Sequence, residues 1–303
     1  MFDAASRSDG VARTIGSGPV GAGPVAAERV AAERNALDAL RVRGGVTASF
    51  HAARGATHIT DLRESGGYRL RFPATHAPHL EATQINTGGG VAGGDKLAFA
   101  YAAGTGADVL ATTQSAERIY RSNGPSSEIG VTLSLAPKAR LDWLPQPTIL
   151  FSGARLCRRF VADLAPDSRL LMVESVTFGR AASGEVMGVG ALHDSWRIRR
   201  DGRLIFADAT RLDGDITGLL ARSAVAGGAR ALALLLYIAP DAPDCLDAVR
   251  GALSNARSNC AASAWNGMLT ARFLGADANS VQKDVVKAVS TLTNRPLPRV
   301  WQI

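Results

Sequence analysis

From Val46 onward, apolar and polar residues alternate in short runs, which is the period of half-buried strands. Tyr68, Leu70 and Phe72 alternate after the Gly66-Gly67 turn, and Val131, Leu133 and Leu135 do so before Pro137. Trp196 and Ile198 lead into an Asp201-Gly202 turn that returns through Leu204 and Phe206, a hairpin signal. At least ten such runs, punctuated by Gly, Pro, Asp or Ser, are predicted before about residue 238. The longest apolar stretch, residues 231–239, reads as a buried strand. The period then changes. Residues 243–256 carry Leu246, Val249 and Leu253 at helical spacing. Residues 279–292 carry Val281, Val285, Val286, Val289 and Leu292, with Asn279 or Ser280 placed to cap and Pro296 beyond the end. Between these helices, residues 265–274 read as one or two further strands.

The pattern predicts a mostly β protein: an irregular, elongated, multi-stranded scaffold of stacked sheets with two C-terminal α-helices. No repeat of roughly 20–50 residues is visible, so a regular solenoid or propeller is not predicted. Residues 1–24 are rich in Gly, Ala, Ser and Pro without an apolar period and read as disordered. Residues 25–43 are Ala-rich and read as a marginal helix or more of the same tail. The expected organisation is an N-terminal extension over residues 1–44, disordered or marginally helical, and a single β-rich domain over 45–303.

Five glycines fall between positions 88 and 94: Gly88, Gly89, Gly90, Gly93 and Gly94. Gly88, Gly90 and Gly93 satisfy G-x-G-x-x-G, but a dinucleotide site also needs a helix after the loop to hold the pyrophosphate. Here Leu97, Phe99 and Tyr101 follow with a strand period. A P-loop needs Gly before its Lys and Ser or Thr after it; Lys96 has Asp95 and Leu97. The loop therefore reads as a tight strand-to-strand connection or a contact surface.

At 303 residues and 46% hydrophobic, the chain is long enough for a large core. No apolar run reaches the roughly 18 residues of a membrane span, and no secretory signal is apparent. Cys157, Cys245 and Cys260 are odd in number and far apart, which argues against a disulfide framework or zinc knuckle and for the cytoplasm. The net charge of +7 suits an acidic partner. The basic residues are spread along the chain, so an RNA- or polyanion-binding β protein is the alternative reading and nucleic acid is not the expected partner. Arg155, Arg158 and Arg159, and Arg197, Arg199 and Arg200, form small clusters expected on solvated or protein-contact faces.

No G-x-S-x-G or H-E-x-x-H occurs, and His76 and His79 are kept off one helical face by Pro78. Two carboxylates stand out. Glu174 lies inside an otherwise apolar strand, and Asp142 sits between Leu141 and Trp143. An unpaired buried carboxylate is costly, so each must be paired, wet, or lining a polar cavity. Parity puts Glu174 on the face of Met172 and Val176. Glu185, in Gly184-Glu185, is a weaker candidate of the same kind.

Several blocks taken together resemble the UreD (UreH) family of urease accessory proteins. They are Asn86-Thr87-Gly88-Gly89-Gly90-Val91-Ala92-Gly93-Gly94-Asp95, Thr112-Thr113-Gln114-Ser115-Ala116-Glu117-Arg118-Ile119-Tyr120-Arg121 and Trp143-Leu144-Pro145-Gln146-Pro147-Thr148-Ile149-Leu150-Phe151 with Gly153-Ala154-Arg155. Phe178-Gly179-Arg180 with Gly184-Glu185, and Leu297-Pro298-Arg299-Val300-Trp301, continue the order. Gln146 and Lys96 are small departures from Glu and Arg. The resemblance implies a non-enzymatic, β-rich scaffold that binds UreF and, through it, the GTPase UreG, docks on apo-urease, and helps deliver nickel. It implies no tightly bound cofactor, only a nickel ion in transit. Glu174, Asp142 and Glu185 would then be weak oxygen stations along an internal route.

Overall fold

Alternation commits these residues to sheets, and the positions of Gly and Asp set where each strand ends. The structure is a computed structural model and describes residues 39–75, 79–180, 183–293 and 295–302. The expectations for residues 1–38 and for His76 lie outside the described residues. The unit spanning Arg41–Ile303 opens with the hairpin β1 (Arg43–Ala53) and β2 (Ala56–Ser65), then β3 (Tyr68–Arg71) and β4 (Leu80–Asn86). It continues through β5 (Lys96–Ala103), β6 (Asp108–Thr113), β7 (Glu117–Ile119), β8 (Ser127–Leu135), β9 (Arg140–Leu144) and β10 (Thr148–Leu150). Next come β11 (Arg155–Leu164), β12 (Arg169–Phe178) and the long hairpin β13 (Val189–Arg200) and β14 (Arg203–Asp215). The helix α1 (Ile216–Ala221) leads to β15 (Ala231–Ile238) and α2 (Leu246–Ala252). The last elements are β16 (Asn259–Trp265), β17 (Met268–Gly275) and α3 (Ala278–Thr293).

One sheet has the order β14-β13-β11-β8-β5-β1-β2; the other runs β16-β17-β15-β12-β9-β6-β4-β3, with β10 joining β12 to β7. From β4 to β13 the long strands alternate between the two sheets, and neighbours within each sheet are parallel. Lys96 lies opposite Glu128 and Ser127 opposite Leu156 in the first sheet, recurrences of 32 and 29 residues. Leu80 opposite Val109, Asp108 opposite Arg140, and Arg140 opposite Arg169 give 29, 32 and 29 in the second. The chain thus coils, but not regularly: at the last step Arg155 lies opposite Ala191, a recurrence of 36, in keeping with the absence of a regular repeat in the sequence. The register repeats while the side chains do not, because burial asks only for apolar residues at alternate positions. Antiparallel strands close both ends: β1–β2 and β13–β14 in the first sheet, β3–β4 and β15–β17–β16 in the second.

Two cores follow. Between the sheets, Phe50, Tyr68, Phe99, Tyr101, Phe160 and Trp196 pack with aliphatic neighbours. The outer face of the second sheet is covered by α2 and α3, with Leu171, Val173, Leu235 and Phe273 against Val249, Val281, Val285 and Val289. β12 is therefore buried on both faces, which explains its nearly continuous apolar run. The two C-terminal helices fall near their expected places. α1 was not anticipated: it is only 6 residues long, capped by Asp215 accepting from the Gly218 amide. Leu204 is exposed because a bulge between Ile198 and Arg199 shifts the register that pairs Ile198 with Phe206. Among the described residues no helix is long and apolar enough to cross a membrane.

The glycine loop carries the chain from β4 in one sheet to β5 in the other. It is held by Val91 N–H to Arg118 O (2.7 Å), Tyr120 N–H to Val91 O (2.9 Å) and Tyr120 Oη to Gly89 O (2.8 Å). Asp95 takes the amides of Val42 and Ala92. At Gly90, φ is +158°, and a Cβ would lie 2.6 Å from the Tyr120 ring and 2.8 Å from Arg118 O. Gly90→Ala is expected to cost about 2 kcal/mol by overpacking at a position with no room to relax, read as a drop in the urea midpoint at unchanged slope.

Candidate functional site

β12 carries Glu174 onto the face that meets the first sheet, two residues beyond Met172, which is paired with Trp143 of β9. β11 carries Arg158 in the same inward row as Leu156 and Phe160, beside Asp194 of β13. Arg158 Nη1 donates to Glu174 Oε2 (2.5 Å) and to Thr148 Oγ1 (3.1 Å), and Nη2 donates to Asp194 Oδ2 (2.5 Å). The guanidinium lies 5.1 Å over the Phe160 ring. Trp143 Nε1 donates to Glu174 Oε1 at 2.8 Å. Arg158 is 4% exposed and Glu174 5%, so this is an ion triad inside the apolar core. Burial pushes the Glu174 carboxyl up to about 7, against the pull of Arg158 and the Trp143 hydrogen bond. Arg158 Nε and Asp194 Oδ1 are buried without partners.

A cavity of about 230 Å³ lies on one side of the triad, walled by Asp194, Trp196, Asp208, Thr210 and Arg272 among others. A smaller one, about 50 Å³, lies on the other side, with Gln84, Thr113, Glu117, Trp143 and Thr148 in its wall. Glu117 accepts from Asn86 Nδ2 (2.9 Å) and Tyr68 Oη (3.1 Å); burial raises its pKa, opposed by those two hydrogen bonds. Asp208 pairs with Arg272 at 3.0 Å. A seam of polar side chains set in largely apolar walls thus runs from Glu117 to Asp208, with Glu174 and Arg158 at its middle.

The other predicted carboxylates stand elsewhere. Asp142 is opposite Leu110 and Leu171 and faces the helix side of the same sheet, so it points away from Glu174. It pairs with Arg140 (3.2 Å) and Arg295 (3.4 Å), while Arg295 forks onto Asp108 at 3.0 and 3.1 Å. Burial raises the Asp142 pKa, and the two arginines oppose the rise. Glu185 lies in the segment after β12, paired with Arg180 at 2.8 Å, whose hydrogen bond holds its pKa below the ordinary value. The three carboxylates are not brought together.

Arg158 corrects the expectation that the 155–159 arginines face solvent: Arg159 does, but Arg158 is inside. Arg158 and Asp194 both went unrecognised, although parity marks them. Arg158 falls in the row of Leu156, Phe160, Ala162 and Leu164; Asp194 falls in that of Leu192, Trp196 and Ile198.

The sequence blocks 112–121, 143–151 and 297–301 also meet in space. Thr112 Oγ1 donates to Leu144 O (2.6 Å), the Gln146 amide to Thr113 Oγ1 (2.8 Å) and Trp301 Nε1 to Leu144 O (3.0 Å). Gln146 Nε2 reaches Val300 O at 2.5 Å.

Fold and seam together define a two-sheet β scaffold with a charged interior. Among the described residues no group of three or more His, Cys, Asp or Glu is placed to hold a metal ion. A family model described as UreD urease accessory protein matches residues 42–302. The protein named urease accessory protein UreD from Methylobacterium sp. is 48% identical over 257 residues, covering 82% of this chain and 90% of its own length. Proteins of the same name from Azorhizobium caulinodans and Xanthobacter autotrophicus are 44% and 49% identical, each covering 87% of this chain and 97% and 91% of their own lengths. The chain belongs to the UreD family of urease accessory proteins, and its role lies in urease maturation.

Proposed function

We propose that the chain is a non-catalytic cytoplasmic scaffold that joins UreF and the GTPase UreG to apo-urease and lets a nickel ion pass along the seam between its sheets. The observation that supports this reading is the buried Glu174, on a polar seam flanked by cavities. Carboxylate, hydroxyl and amide oxygens hold a divalent ion more loosely than His or Cys, which suits passage rather than storage. Of the carboxylates singled out, Glu174 is the station on this route. Asp142 and Glu185, each tied to arginine away from the seam, are read as structural.

Glu174→Gln keeps the shape and removes the charge. Co-expressed with the urease subunits and the other accessory proteins, this variant is expected to lower urease nickel content and activity about tenfold, a change of roughly 1.4 kcal/mol. Co-purification of the complex should be unchanged. Full nickel content in the E174Q strain would refute the route; loss of the complex would assign Glu174 to folding instead.

A further inference from the structure

The two cavities share two wall residues, Arg158 and Glu174. Among the described residues nothing else is common to both linings, so this ion pair is the partition between them. On the larger side, Asp194 Oδ1 is buried without a partner among the described residues, while Asp208 in the same wall is already paired with Arg272. On the smaller side, Arg158 donates to Thr148 and Glu174 and lies over the Phe160 ring.

From this arrangement we infer that Arg158 is a movable gate: its guanidinium closes the seam by occupying the carboxylate of Glu174, and opens it by swinging onto the free oxygen of Asp194 in the wall of the larger cavity. The inference rests on the cation route proposed above and adds its regulation. In the closed state a fixed positive charge stands where a cation would cross, and like charges repel strongly where water is scarce. The swing does not strand the guanidinium, because Asp194 already holds Nη2 and offers a second free oxygen. An arriving divalent ion takes over Glu174 as Arg158 leaves, so the buried carboxylate stays compensated throughout. A monovalent ion offers half that compensation and competes less well for the same carboxylate. The seam is then selective by charge without a tight site.

The test uses the full chain assembled with UreF, UreG and apo-urease, reading the nickel concentration for half-maximal urease activation. Arg158→Lys keeps the charge but replaces the two-pronged guanidinium by a single ammonium, which holds two carboxylates less firmly. It is expected to lower the nickel requirement about tenfold, equivalent to roughly 1.4 kcal/mol. Thr148→Val, which removes only the hydroxyl tether, should shift it in the same direction by less, and it carries the test if the Arg158→Lys chain does not fold. An unchanged or higher requirement in a folded, complexed Arg158→Lys or Thr148→Val chain overturns the gate. Glu174→Gln, measured alongside, separates the two ideas: a wild-type requirement there overturns the route itself, whereas a raised one with no Arg158→Lys effect leaves the route and removes the gate.

Discussion

Arg158→Met is expected to lower the unfolding free energy by about 3–5 kcal/mol at pH 8, the usual cost of removing one partner from a buried ion pair. Met fills much of the same volume, so the loss is electrostatic rather than a cavity effect. Glu174 keeps the Trp143 hydrogen bond, but Asp194 loses its guanidinium partner while one of its oxygens is already unpaired. The effect should depend on pH with a definite sign. Burial raises the native Glu174 pKa from an ordinary 4.5 to about 7, so the native state binds more protons than the unfolded chain. Glu174 therefore favours folding below pH 4.5, and that contribution is lost as pH rises through 7. Without Arg158 the carboxyl holds its proton to still higher pH, so the gap between variant and wild type widens from pH 5.5 to pH 8. Urea titrations at the two pH values measure this. A loss under 1 kcal/mol at pH 8, or a gap that narrows with pH, would contradict the triad as described. Glu174→Gln in the Arg158→Met background should recover part of the loss, since the stranded charge is gone.

The second large effect is expected at Asp284, on the buried side of α3 and itself 0% exposed. Its Oδ2 accepts the amides of Arg257 and Ser258 and the Ser258 hydroxyl, each at 2.8 Å, and its Oδ1 accepts from Lys287 at 3.0 Å. It thereby ties the helix to the turn that starts β16. Asp284→Ala strands two amides, for an expected loss of about 3 kcal/mol. Asp284→Asn keeps one oxygen acceptor and should lose roughly half as much, because charge-assisted bonds are about twice as strong as neutral ones. Chemical denaturation gives the totals. Proteolysis between α2 and β16 should accelerate in the Ala variant, and equal stability of Asp284→Ala and wild type would rule out this tie.

The strands were legible because half-burial imposes a period of two, and the helices because Val281, Val285, Val289 and Leu292 step by three and four. Short elements such as α1 give too few residues to show a period. The alternation of strands between sheets leaves no local mark: β5 and β8 look alike whether they pair antiparallel or as successive turns of a coil. At the site, Glu174 was visible as the lone charge in an apolar strand. Its partner was marked only by parity. Arg158 lies 16 positions away on the opposite sheet, where it sat among arginines that do reach water. Asp142 and Glu174 looked equivalent in sequence, yet they face opposite sides of one sheet, because a residue's row depends on the register of its own strand.

The recurrence of 29 to 36 residues between neighbouring long parallel strands from β4 to β13 also bears on how the chain is made. Each layer rests on the one before it, so it is ready to form once about thirty more residues have left the ribosome, where synthesis adds roughly 5–20 residues per second. Assembly can thus proceed layer by layer during translation. Glu174 follows Arg158 by 16 residues, and Asp194 arrives a further 20 residues later, with β13. For that interval of seconds the nascent guanidinium is held from one side alone.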